Sequence, residues 1–131
     1  MRVLALDHGA ARCGCAVSDP TGTLATPLAE VERPDTEAGL DALARLVEEV
    51  AAERVVVGLP LTLAGEAGAQ AQAARGFAER LRGRVSVPVE LHDERLTTRL
   101  AEQSGARAGA DSRAAAHLLE SWLARAGATT E

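Results

Sequence analysis

The sequence predicts an α/β fold built on a mixed five-stranded sheet, a three-strand antiparallel meander plus two parallel strands, flanked by helices. Three observations predict it. Turn residues divide the stretch before Asp35 into short extended pieces, helical periodicity begins only at Asp35, and from there apolar runs of strand length alternate with helical ones. Right-handed crossovers make the last two strands parallel to the first and gather their C-terminal ends along one rim, where the ligand sites of open α/β sheets lie.

Taken in order, "RVLALD" is apolar on both faces, as a central strand requires. The Gly-bearing turn "HGAARCG" leads to "CAVSD", and "PTGT" forms a hairpin-like turn before a third extended piece around "LATPLAEV". Leu40, Leu43, Val47 and Val50 then recur at helical spacing, with Asp35 or Thr36 as N-cap. "RVVVGLP" is a doubly apolar strand stopped by Gly58 and Pro60. A second helix carries Ala71, Ala74, Ala78 and Leu81 on one stripe, "VPVELH" is the fifth strand, and Thr97 or Thr98 caps the next helix. The closing helix turns Leu118, Leu119, Trp122 and Ala126 inward. The stretch "LTLAGEAGAQ", with Gly65 and Gly68, reads as a mobile loop able to close over a nucleic-acid backbone, or as an idle surface loop.

A chain of 131 residues is expected to form a single domain, residues 1–131. No apolar run is long enough to span a bilayer and "MRVLALDHG" lacks a signal-peptide pattern, so the expected location is cytoplasmic, with no membrane partner. Lys, Asn, Ile and Tyr are absent, which reads as codon bias in a GC-rich genome. One Phe and one Trp offer no aromatic platform for unpaired bases, so a nucleic acid would be gripped by its backbone. The net charge of −5 argues against nonspecific polyanion binding. Two features soften that: arginines cluster at Arg80, Arg82 and Arg84 and again at Arg95, Arg99, Arg107 and Arg113, and carboxylates set aside for a metal make the apo chain look more acidic. Cys13 and Cys15 share one face of a strand and read as small buried hydrophobes rather than a disulfide or metal pair.

The candidate chemistry lies in the acids. Asp7 ends the first strand, Asp93 and Glu94 end the last, and Asp111 opens the final helix on the stripe of Ala115, Leu118 and Trp122. Read alone, Asp111 is first an N-cap carboxylate and only second a ligand. Together the acids can converge, because parallel neighbours lie about 4.8 Å apart and a long side chain two strands away reaches a shared ion. Reach favours Glu94 over Asp93, with strand parity left open. Clustered carboxylates repel unless a cation neutralises them, and hard oxygen donors suit Mg²⁺ or Mn²⁺. Such ions support hydrolysis of a phosphodiester by activating water and stabilising the leaving oxygen. His8 and His92 are expected to be solvated turn histidines before proton-transfer groups, and His117 to be partly buried and structural.

"LALDHGAARCGCAVSD", "VVVGLPLTLAG", "LHDERLTT" and "ADSRAAAHLLESWL" resemble, in order and over nearly the whole chain, the four motifs of the YqgF/RuvX-like family, described as pre-16S rRNA nucleases related to the RuvC Holliday junction resolvases. The resemblance implies an RNase H-like fold. It also implies Asp7, Glu94 and Asp111 as catalytic metal ligands, with Asp93 as a substitute or supporting residue. Arg12 and Arg95 would hold the scissile phosphate or order the site, with a salt bridge to Asp93 as the equal alternative for Arg95. Arg107 and Thr62 fall at further substrate-binding positions.

The departures from the family pattern fall on phosphate contacts rather than on the acids. Ala10 replaces a hydroxyl residue after D-x-G, Thr62 an amide after G-L-P-L, and Gly109 a frequent basic residue. RuvC-type enzymes also carry an acid at the end of the fourth strand, where Gly58, Leu59 and Pro60 stand here.

Three function classes compete. The first is a metal-dependent nuclease acting on pre-16S rRNA, branched DNA or both; a homodimer would suit two-fold branched DNA. The second is a noncatalytic rRNA-binding or ribosome-assembly module, which gains nothing from clustered acids facing phosphate. The third is an actin-like ATPase or sugar kinase, which also has D-x-G before a hairpin but needs two lobes, where this chain supplies one.

Overall fold

The computed structural model describes residues 1–60, 68–93 and 110–129, with the side chains of the last segment described from Ser112 to Arg125. Among the described residues the elements are, in chain order, β1 (Val3–His8), β2 (Arg12–Ser18), β3 (Ala25–Glu32), α1 (Glu37–Glu49), β4 (Arg54–Leu59), α2 (Ala69–Arg82), β5 (Val89–Asp93) and α3 (Ala110–Thr129). The sheet order is β3-β2-β1-β4-β5, with β1–β2 and β2–β3 antiparallel and β1–β4 and β4–β5 parallel. This is the expected meander with two parallel additions. β1 lies at its centre, as its apolar run on both faces requires.

The pleat of β1 sorts its residues between two cores. Leu4 and Leu6 join Cys13, Cys15, Val55 and Val57 on the face covered by α1 and α2. Val3 and Ala5 join Ala16 and Val56 on the face covered by α3. On the first face α1 contributes Leu40, Leu43 and Val47, and α2 contributes its predicted stripe together with Phe77. Phe77 heads the fully buried side chains, and burying one such side chain stabilises the fold by about 2–3 kcal/mol. On the second face Ala115, Leu118 and Leu119 of α3 are buried, with Trp122 half-buried beside them. The guanidinium of Arg54 lies 6.0 Å above the Trp122 ring and reaches Glu90 Oε1 at 2.8 Å.

Local chemistry settles what the sequence left open at α1. Thr36 is the N-cap: its Oγ1 accepts from Gly39 N at 3.1 Å. Asp35 is thereby released for another partner. Gly39 is required by close approach, since a Cβ there would stand 2.1 Å from the Arg33 carbonyl oxygen. Gly58, expected to stop its strand, instead lies inside β4 and pairs with His92. Neither cysteine is in a disulfide and both are buried, as their shared strand face predicts.

The arginines at the end of α2 and just beyond it differ from their sequence reading. Arg80 binds Asp35, Arg82 binds Glu79 and the Val89 carbonyl, and Arg84 binds Glu37 and Asp41. What reads as a basic cluster is a set of internal ties between α2, α1 and β5. Among the described residues no helix is long and apolar enough to cross a membrane.

Candidate metal and nucleic-acid site

Asp7 is the fifth residue of β1 and pairs in register with Gly14 of β2. On its other side the ladder with β4 runs from Val3 to Leu6, with Leu6 opposite Val57, so Gly58 is the next residue along β4. Asp7 has the parity of Val3 and Ala5, which puts its half-buried side chain on the α3 face. A glycine therefore flanks it on each neighbouring strand. Cβ atoms there would project onto the same face as the carboxylate. Sequence reasoning missed this placement of Gly14 and Gly58. The available signal was glycine inside otherwise β-branched or apolar strands, which marks close approach by a ligand or another backbone.

The start of α3 is tied to the same level of the sheet by Ser112. The β2–β3 ladder shifts register between Cys13 and Cys15. Ser112 Oγ bridges the two groups brought opposite each other there, accepting from Cys15 N at 3.4 Å and donating to Leu28 O at 2.7 Å. Its side chain is 5% exposed. Asp111, preceding it in the chain, lies in the first turn of α3, near the Gly14–Cys15 step opposite Asp7. Ser112→Ala would remove a hydroxyl that bonds a buried N–H and a buried C=O. Loss of about 0.5–1.5 kcal/mol in denaturant titration is the expected result.

Arg12 opens β2 with the parity of Gly14 and Ala16, hence on the Asp7 face, and its side chain is exposed. Asp93 is placed otherwise. It ends β5 opposite Leu59, with the parity of Val89 and Leu91, which lie against the α1–α2 core. Asp7 and Asp93 thus project from opposite faces. Glu94, Arg95, Arg107, Thr62, Thr97, Thr98 and Gly65 lie outside the described residues, as does the side chain of Asp111. Among the described residues no group of three or more His, Cys, Asp or Glu could by itself hold a metal ion.

Neither rim histidine is the solvated turn residue that its position predicts. His8 projects to the α1–α2 face with its side chain 5% exposed, stacked on Phe77 at 4.7 Å between ring centroids. Its Nε2 lies 2.8 Å from Asp35 Oδ2, and Asp35 Oδ1 accepts from Arg80 at 2.5 Å. Burial alone would raise the Asp35 carboxyl, but the hydrogen bonds and charges of His8 and Arg80 outweigh it and hold the group below the usual carboxylate range. His92, 7% exposed, shares a hydrogen bond of 3.0 Å with Ser121 Oγ and so joins β5 to α3. Burial, with the charge of Arg125, lowers its imidazole against the opposing pull of Asp93 and Glu90. His117 is half-buried, with Nδ1 3.2 Å from Glu120 Oε1, as expected of a structural residue.

The sheet order, with helices on both faces, defines an RNase H-like fold. Solved structures share it: a Thermus thermophilus RuvC in complex with Holliday junction substrate aligns with a TM-score of 0.60 at 19% identity over 97% of both chains. The fowlpox virus resolvase with Holliday junction DNA aligns with 0.57 at 12% identity, over 96% of this chain and 99% of that one. Residues 1–125 match the family described as "RuvX: Holliday junction resolvase". Relatives named "Putative pre-16S rRNA nuclease" include one from Chloroflexus aurantiacus, 46% identical over 77% of this chain and 66% of its own length. Another, from Mycobacterium tuberculosis H37Ra, is 47% identical over 93% of this chain and 78% of its own. The chain belongs to the RuvX family, whose members carry the names of nucleases.

Proposed function

We propose that the chain, as one domain over residues 1–131, is a cytoplasmic nuclease that depends on a divalent metal and hydrolyses phosphodiester bonds at the 5′ end of pre-16S rRNA. The observation that carries the reading is Asp7, at the end of the central strand, between two glycines and facing the start of α3. The donors offered there are carboxylate oxygens, which fit Mg²⁺ or Mn²⁺ rather than a soft metal. Asp7, Glu94 and Asp111 would hold the ion; of Asp93 and Glu94, the parity of Asp93 makes Glu94 the one to propose. When bound, the metal supplies an activated water and stabilisation of the leaving oxygen.

The chain's own side chains do the rest. Arg12, exposed on the face of Asp7, pairs with a phosphate oxygen and sets the strand's register, a contact that carries no base information. Arg95, Arg107 and Thr62 complete the grip. Trimming one RNA strand needs a single site, whereas symmetric cutting of a junction needs two. Relatives at 46% and 47% identity bear the rRNA name, which supports RNA over branched DNA as substrate.

Matched pre-16S rRNA and four-way DNA junctions, incubated with Mg²⁺, Mn²⁺ or a chelator, test this. The expected result is cleavage of the RNA with metal and none with chelator. RNA bound equally well without metal, and never cut, would instead identify a noncatalytic ribosome-assembly module.

A further inference from the structure

Asp35 has no task in capping α1, since Thr36 performs it, yet both of its oxygens are engaged. One meets the buried imidazole of His8 and the other the guanidinium of Arg80, so a single carboxylate ties together the end of β1, the turn before α1, and α2. His8 is the residue after Asp7 and projects to the opposite face. The ladder between β1 and β4 covers Val3 to Leu6, one residue short of Asp7. Beyond His8 the chain turns at Gly9, where a Cβ would stand 2.8 Å from the Arg12 carbonyl oxygen. On the β4 side, then, the strand end that bears Asp7 is held by the side chain of His8, stacked on Phe77 and bonded to Asp35.

We propose that Asp35 is a positioning residue: through His8 it fixes the end of β1 and so holds the Asp7 carboxylate in the geometry that a divalent metal requires. A ligand must be held within about 0.5 Å of its productive position, and outer partners of ligands typically contribute about 10–100-fold to metal affinity. The inference rests on Asp7 being a ligand, and its test separates the two claims.

Calorimetric titration of Mn²⁺ into the wild-type chain, Asp35→Ala, Asp35→Asn and Asp7→Asn provides that test, at a temperature where circular dichroism shows each to be folded. Asp7→Asn should abolish binding and Asp35→Ala should weaken it about tenfold or more. Asp35→Asn, whose amide oxygen still accepts from one partner, should fall between Asp35→Ala and wild type. The metal concentration for half-maximal cleavage should rise in parallel, with kcat recovered at saturating metal, a split that a general loss of stability does not produce. Wild-type affinity in a folded Asp35→Ala, with binding lost in Asp7→Asn, overturns the positioning role and leaves the metal site standing. Wild-type affinity in Asp7→Asn overturns the metal site itself. Should Asp35→Ala not fold, wild-type affinity in Asp35→Asn overturns the positioning role in its place.

Discussion

Asp7→Asn is expected to lower metal-dependent cleavage by a factor on the order of 10³ while leaving the fold intact. The amide keeps the size of the carboxylate but not its charge, so the metal loses an anionic ligand at the centre of the rim. A bound metal supplies several kcal/mol of transition-state stabilisation, and each 1.36 kcal/mol is about tenfold in rate. Single-turnover cleavage and thermal unfolding of the same preparation check both halves. Asp93→Asn is the matched comparison: from the opposite face of the sheet it should change the rate by only a few fold. Equal losses in the two variants would mean that strand parity does not decide which acid serves the metal.

Gly39→Ala should destabilise the protein, against the usual sign for a helix. Alanine is favoured over glycine by about 1 kcal/mol in a helix interior. At Gly39, however, the new Cβ would stand 2.1 Å from the Arg33 carbonyl oxygen and 2.8 Å from both Arg33 C and Pro34 Cα. These are backbone atoms, and Arg33 already has a positive φ of 48°, so they cannot yield as a flexible side chain does. Overpacking of this kind costs about 1–3 kcal/mol or more, a fall of roughly 10 °C in Tm at the upper end. Gly76→Ala provides the opposite sign: its nearest neighbour is Arg80 Nη1 at 3.6 Å, an ordinary contact, so the helix-propensity gain of about 0.5–1 kcal/mol should appear. A neutral Gly39→Ala would mean that the turn before α1 is not held against the helix, and the tie between Asp35 and His8 would lose its support.

The strand order was legible because it derives from local pattern and handedness. "RVLALD", apolar on both faces, lies at the sheet's centre, and the crossovers through α1 and α2 make β4 and β5 parallel to it. The acid at its end was legible for the same reason. What escaped depends on contacts between segments distant in sequence. His8 reads as a solvated turn residue until α1 and α2 close over it and bring Asp35 and Phe77 to its ring. Arg80, Arg82 and Arg84 read as a basic cluster because their partners lie mainly on α1 and β5. The hydroxyl of Ser112 reads as an ordinary first-turn residue, since the register shift that it bridges is a property of the β2–β3 pairing. Gly14 and Gly58 read as punctuation, and only their registers show that they flank Asp7.

Metal ligation by Asp7 is tested most directly by the anomalous scattering of manganese in crystals of the protein grown with Mn²⁺. The expected result is a peak about 2.1 Å from an Asp7 carboxylate oxygen, on the α3 face, with Glu94 and Asp111 as its other protein ligands. A peak bound by Asp93 on the opposite face, or no peak at Asp7 at saturating Mn²⁺, would contradict it.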